Sequence, residues 1–74
     1  MWKSQLEELK LALSENIRAL RGKRGLSQER LALEAGVDRT LVSKIERAIA
    51  NPTLEVLTKL ALALEVPVIR LLKS

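Results

Sequence analysis

Residues 26–47 read LSQERLALEAGVDRTLVSKIER, and how this stretch divides decides the fold. Two short helical patterns meet at Ala35-Gly36-Val37. In the first, Ser27 is suited to cap a helix over residues 28–35 that turns Leu31, Ala32 and Ala35 inward. Gly36 ends it, because glycine takes the left-handed conformation of a tight turn without steric cost. In the second, Asp38 caps a helix over residues 39–47, its carboxylate near the free amides of Arg39 to Leu41. At about 100° per residue, Arg39, Thr40, Ser43, Lys44 and Arg47 fall within an arc of about 140°, while Leu41, Val42 and Ile45 take the other side. One face can pack and the other can read a partner. Only about three residues separate the two helices, which is the helix-turn-helix arrangement.

Upstream, Leu6, Leu9, Leu13, Ile17 and Leu20 recur at helical spacing, so residues 4–24 form a first helix with an apolar stripe. Ser4, with Glu7 and Glu8 behind it, suits an N-terminal cap. Gly25 after Lys23 and Arg24 suits a C-terminal stop, while Gly22 weakens the last turn by up to ~1 kcal/mol. Residues 1–13 are an N-terminal extension of this helix. It either packs on its own domain or offers Leu6, Leu9 and Leu13 as a short seam to a second chain, with Asn16 an awkward member of that seam.

Downstream, Asn51-Pro52 blocks helix continuation, and Thr53 caps a helix that turns Leu54, Leu57, Leu60, Ala61 and Leu64 to the core. Val66-Pro67 breaks that helix, and the proline opens a last short one over residues 68–72. The expected fold is all-α, five helices in one bundle, with residues 1–74 as a single domain.

Composition narrows the function. The chain has 74 residues with no cysteine and no histidine, which removes disulfides, thiolate metal sites and the usual general base. An enzyme is not expected, nor a cofactor, metal or small-molecule ligand. Trp2 is the only aromatic residue, so the core must be aliphatic. No apolar run approaches the ~20 residues of a membrane span, and a cytoplasmic protein is expected. The net charge of +4 is concentrated in residues 21–47, which hold seven basic and four acidic side chains. That mild excess is compatible with nucleic acid.

Ser27-Gln28-x-x-Leu31-Ala32-x-x-Ala35-Gly36-Val37, then Ser43-x-Ile45-Glu46-Arg47, Asn51-Pro52-Thr53-Leu54 and Leu60-Ala61-x-Ala63-Leu64-x-Val66 follow one another in an order and spacing that resemble the lambda-repressor-like family of phage repressors and Cro-type regulators. The resemblance covers residues 17–72. It implies that the third helix enters the DNA major groove and that two chains bind two half-sites. Carried over by position, Arg39, Thr40, Ser43 and Lys44 become candidates for base contact, with Arg39 able to bond guanine O6 and N7 together. Ser27, Gln28, Arg47 and Asn51 become candidates for phosphate contact, with added charge from Lys23 and Arg24. The family pattern also pairs Glu46 with Arg21. Two departures stand out. Leu41 replaces the aromatic or polar residue of many relatives, and Ala48-Ile49-Ala50 lacks their glycine or basic residues.

The expected function is a sequence-specific DNA-binding transcriptional regulator, acting as a homodimer on a two-fold symmetric operator. Asp38-Arg39-Thr40 in a domain of this size resembles restriction–modification controller proteins, with an antitoxin or a phage repressor as alternatives. Without a ligand-sensing domain, regulation would depend on the protein's own concentration or on a partner. The apolar density of Val66, Val68, Ile69 and Leu72 suggests the dimer interface, although the same residues could simply close the monomer core. The competing reading is a protein-interaction module that has kept the bundle without binding DNA.

Overall fold

A computed structural model describes residues 1–74. It contains five helices and no strand: α1 (Trp2–Lys23), α2 (Gln28–Ala35), α3 (Arg39–Glu46), α4 (Leu54–Leu64) and α5 (Ile69–Leu72). Three starts follow from their caps. Ser27 Oγ accepts from Arg30 N at 3.0 Å, Asp38 Oδ1 from Thr40 N at 2.9 Å, and Thr53 Oγ1 from Val56 N at 3.1 Å. Each cap satisfies an amide that the helix itself leaves free. The first helix differs from expectation. It begins at Trp2, ahead of Ser4, and no side chain caps it.

The 22 residues of α1, at about 1.5 Å each, run nearly the full 35 Å length of the molecule. Along it α1 packs on α3 and α5, while α2 packs on α3 and α4, and α4 closes on α5. The core they enclose is aliphatic, with Ile17, Leu31, Val42, Ile45, Leu60 and Leu71 at or near full burial. Truncating any of the five leucine and isoleucine side chains at its centre should cost about 2–5 kcal/mol.

Several expected core or seam positions fall elsewhere. Leu54 is 75% exposed because it occupies the first position of α4, outside the bundle. Leu13 belongs to the core and so cannot join an intermolecular seam. Asn16 faces α5, where its amide donates to the carbonyls of Leu71 at 2.8 Å and Lys73 at 2.6 Å, closing the end of that short helix. The stripe on α1 thus splits. Its second half is core, whereas most side chains of its first two and a half turns stand in solvent and only Leu6 and Lys10 are half-covered.

Four helices end in the same way, with a left-handed residue followed by a bond back across the last turn. The returning amides are Leu26 to Arg21 O, Val37 to Ala32 O, Ile49 to Lys44 O and Val66 to Ala61 O, all within 3.0–3.1 Å. Glycine supplies the left-handed residue twice, as Gly25 and Gly36, but Ala48 (φ 61°) and Glu65 (φ 62°) supply it for α3 and α4. A side chain in this region costs roughly 1–2 kcal/mol. Ala48→Gly should therefore stabilise the fold by about 1 kcal/mol, raising Tm by about 4–8 °C for a domain of this size. Gly36→Ala should do the reverse by a similar amount, for backbone reasons alone, since open space surrounds its Cβ position. Parallel thermal melts of the two variants check both signs.

Candidate nucleic-acid interface

Helix α3 divides as its periodicity dictates. Val42 and Ile45 are buried and Leu41 half-buried, while Arg39, Thr40, Lys44 and the flanking Arg47 are exposed and Ser43 is half-exposed. The Asp38 cap fixes where the helix begins, and hence which residues share its outer face. Gln28 on α2 closes that face on one side. Together Gln28, Arg39, Thr40 and Ser43, all polar residues, line a recess of about 200 Å³. Lys23, Arg39, Lys44 and Arg47 form no ion pair within the chain, so their charge is available to a partner. Ser27 and Asn51 are exposed at the neighbouring loop ends.

Behind this face the end of α3 is fastened to α1 through Glu46, whose side chain is only 3% exposed. Its carboxylate accepts from Arg21 Nε at 2.6 Å, from a second Arg21 nitrogen at 3.0 Å, and from Gln28 Nε2 at 3.1 Å. Arg18 stands 3.8 Å away. The Glu46 backbone carbonyl, left free by the helix end, accepts from the Ser14 hydroxyl at 2.6 Å and from Arg18 at 2.9 Å. Cations beside a helix C-terminus also complement its dipole. Burial pushes the Glu46 carboxyl upward. The Arg21 and Gln28 hydrogen bonds and the charges of Arg21 and Arg18 outweigh that, holding it below the ordinary 4.5. The Glu46 hydrogen bond in turn raises Arg21 above its usual range.

Arg24 is engaged within the chain. Its guanidinium donates to the Ala63 carbonyl and faces the carboxylates of Glu34 at 3.3 Å and Glu65 at 3.8 Å, tying the end of α1 to α2 and α4. These acceptors compete with a phosphate for the guanidinium. Gln28 is divided, since one amide hydrogen is committed to Glu46 while the side chain still borders the recess. Among Val66, Val68, Ile69 and Leu72, only Ile69 stands largely in solvent, at 64% exposure, and the other three pack in part on their own core.

Sequence reasoning missed Ser14 and Arg18. Their signal was a polar line at helical spacing, Ser14, Arg18 and Arg21, on one side of α1. Without the fold nothing said what that line would meet.

The geometry makes the Arg21–Glu46 pair a stability determinant. Removing one partner of a buried pair costs about 3–5 kcal/mol, and with Arg18 and Gln28 still at hand Arg21→Ala should cost about 3 kcal/mol in a denaturant titration. A carboxylate held below its unfolded value of 4.5 contributes stability above that pH and loses it as pH falls through the folded value. Melting temperature should therefore fall as pH is lowered below about 4.5, and less steeply for Glu46→Gln.

The chain matches the family described as Helix-turn-helix (HTH_3) over residues 17–71. It is 42% identical over 66 residues to a hypothetical transcription factor of Neisseria meningitidis, a match that covers 89% of this chain and 62% of that one. The solved structure of a hypothetical transcription factor from Neisseria superposes with a TM-score of 0.85 over 88% of this chain and 75% of that one, at 43% identity. Control protein C.SmaI of Serratia marcescens is 43% identical over 65 residues, 88% of this chain and 77% of that one. The restriction–modification controller protein C.AhdI of Aeromonas hydrophila superposes with a TM-score of 0.80 at 39% identity, over 84% of this chain and 94% of that one. With an exposed polar face on α3, a glycine turn before it and these likenesses, the chain belongs to the lambda-repressor-like helix-turn-helix family.

Proposed function

We propose that this chain regulates transcription by binding a two-fold symmetric operator as a homodimer, with α3 lying in the major groove and all 74 residues acting as one DNA-binding unit. The observation that carries the reading is the division of α3. Its apolar side and its C-terminal carboxylate are held by the bundle, which leaves Arg39, Thr40, Ser43 and Lys44 on a rigid outer face. Arg39 reads guanine through O6 and N7, and Thr40, Ser43 and Lys44 reach adjacent base edges or a thymine methyl. Phosphates are met by Ser27 and the first amides of α2, by the second amide hydrogen of Gln28, and by Lys23, Arg47 and Asn51.

The likeness to C.SmaI and C.AhdI supports a controller that acts on a restriction–modification operon. Dimerisation through Val66, Val68, Ile69 and Leu72 would set the two α3 helices roughly 34 Å apart, one turn of duplex. Ile69 projects most and would be the centre of that contact. The site of action is wherever the operator lies, in the bacterial cytoplasm, and no helix is long and apolar enough to cross a membrane.

Enrichment of random duplexes on the purified chain tests this reading. It should return an inverted repeat whose half-sites are centred about 10 base pairs apart. Arg39→Ala should relax one guanine position, with a loss of about 1–3 kcal/mol of discrimination. Arg47→Ala should weaken all sequences alike and reduce the slope of log affinity against log salt by about 0.9. Absence of binding to any duplex at low salt would reject DNA recognition in favour of a protein-interaction role, and a monomer in equilibrium sedimentation at micromolar concentration would reject the stable dimer.

A further inference from the structure

Glu8, Ala12 and Glu15 lie one above another along α1, with Leu9 and Leu11 on either side of that line. With Leu72 they line an open groove of about 540 Å³ between the start of α1 and the end of α5. These α1 residues precede the family match over residues 17–71. Two features suit the groove to an occupant. It is preformed, because the Asn16 amide donates to the carbonyls of Leu71 and Lys73 and so holds the end of α5 beside α1. It also leaves a gap between two carboxylates, since Ala12 is buried and has no side chain beyond Cβ. Glu8 and Glu15 themselves are exposed and form no ion pair within the chain.

The complementary surface is α5. Arg70 and Lys73 are exposed and also form no ion pair, and Ile69 next to them stands 64% exposed. Buried Leu71 and the Asn16 bonds fix α5 on its own bundle, so this free side faces outward. A stable dimer buries about 800 Å² on each partner. A helix of four residues with one largely exposed apolar side chain cannot supply that area alone. The groove is the surface continuous with it, because Leu72 belongs to α5 and also lines the groove. We infer that the groove receives α5 of a second copy of this chain: Ile69 enters the gap over Ala12, and Arg70 and Lys73 meet Glu8 and Glu15. The inference rests on the homodimer proposed above and names the surface that receives α5. Two-fold symmetry makes the contact reciprocal, so each set of charges is paired twice.

Charge reversal on each side tests the pairing. Sedimentation equilibrium gives the dimer dissociation constant of wild type, of Glu8→Lys with Glu15→Lys, of Arg70→Glu with Lys73→Glu, and of the two reversed chains mixed. All four positions are exposed, and circular dichroism checks that each variant keeps its helices. Like charges face each other in either reversed homodimer, which should weaken it by at least about tenfold. The mixture pairs opposite charges at both contacts and should return to the wild-type range. Glu15→Lys alone should weaken the dimer more than Glu29→Lys, which changes the net charge equally at an exposed position of α2. Reversed homodimers as tight as wild type, or equal effects of Glu15→Lys and Glu29→Lys, would leave the groove to another occupant and overturn the inference while the dimer itself stands. Weakened homodimers that fail to associate on mixing would overturn it as well, since the two sets of charges would then not meet. A wild-type chain that is monomeric at micromolar concentration rejects the homodimer, and the role of the groove falls with it.

Discussion

The carboxylate of Glu46 is the constraint on which the rest depends. An acidic group near a DNA-facing surface is costly unless it is withdrawn and neutralised, and burying it alone would be costlier still. The fold meets both demands by turning Glu46 inward beneath two arginines and a glutamine. That arrangement fixes the rotation of α3 about its own axis. Rotation in turn decides that Arg39, Thr40 and Lys44 emerge together on the outside. Stability and the make-up of the outer face therefore depend on one atom set, in which α1 supplies the charge and α2 a further hydrogen bond.

The helix-turn-helix was legible because its punctuation is local. Ser27, Gly36 and Asp38 each act on amides or torsions within a few residues, so their effect can be read without knowing the fold. The exposed polar face of α3 was legible for the same reason, being a matter of angle around one helix. The Arg21–Glu46 partnership came only through family resemblance, since the two residues are 25 positions apart. What escaped depended on tertiary neighbours. Ser14 and Arg18 needed the end of α3 beside them, Asn16 needed the end of α5, and Arg24 needed Glu34, Ala63 and Glu65. Leu54 misled because helical phase says which side faces inward, and nothing about whether the neighbouring helix extends that far.

Helix endings show the same limit from another side. The two glycine endings could be foreseen and the other two could not, because alanine and glutamate carry no signal for a left-handed backbone. At Ala48 the strain lies directly after the recognition helix, where Ile49 returns its amide to Lys44 O. The loop to Thr53 is thus held by a bond that a less favourable residue sustains. At Glu65 the side chain has a compensating partner in Arg24, 3.8 Å away and exposed, a contact of small energetic weight.

The uncovered start of α1 has a spectroscopic consequence. Trp2 is the chain's only aromatic residue and stands 67% exposed, with the Lys3 ammonium 5.7 Å from its ring, remote from the aliphatic core. Its emission should therefore lie close to that of an indole in water when the bundle is intact, so that core unfolding should change it little and helical ellipticity becomes the natural optical gauge of folding. The same isolation makes the tryptophan a clean reporter of anything that comes to cover the first turn of α1. A blue shift in this protein would signal an arriving neighbour, since the fold itself offers the indole no shelter.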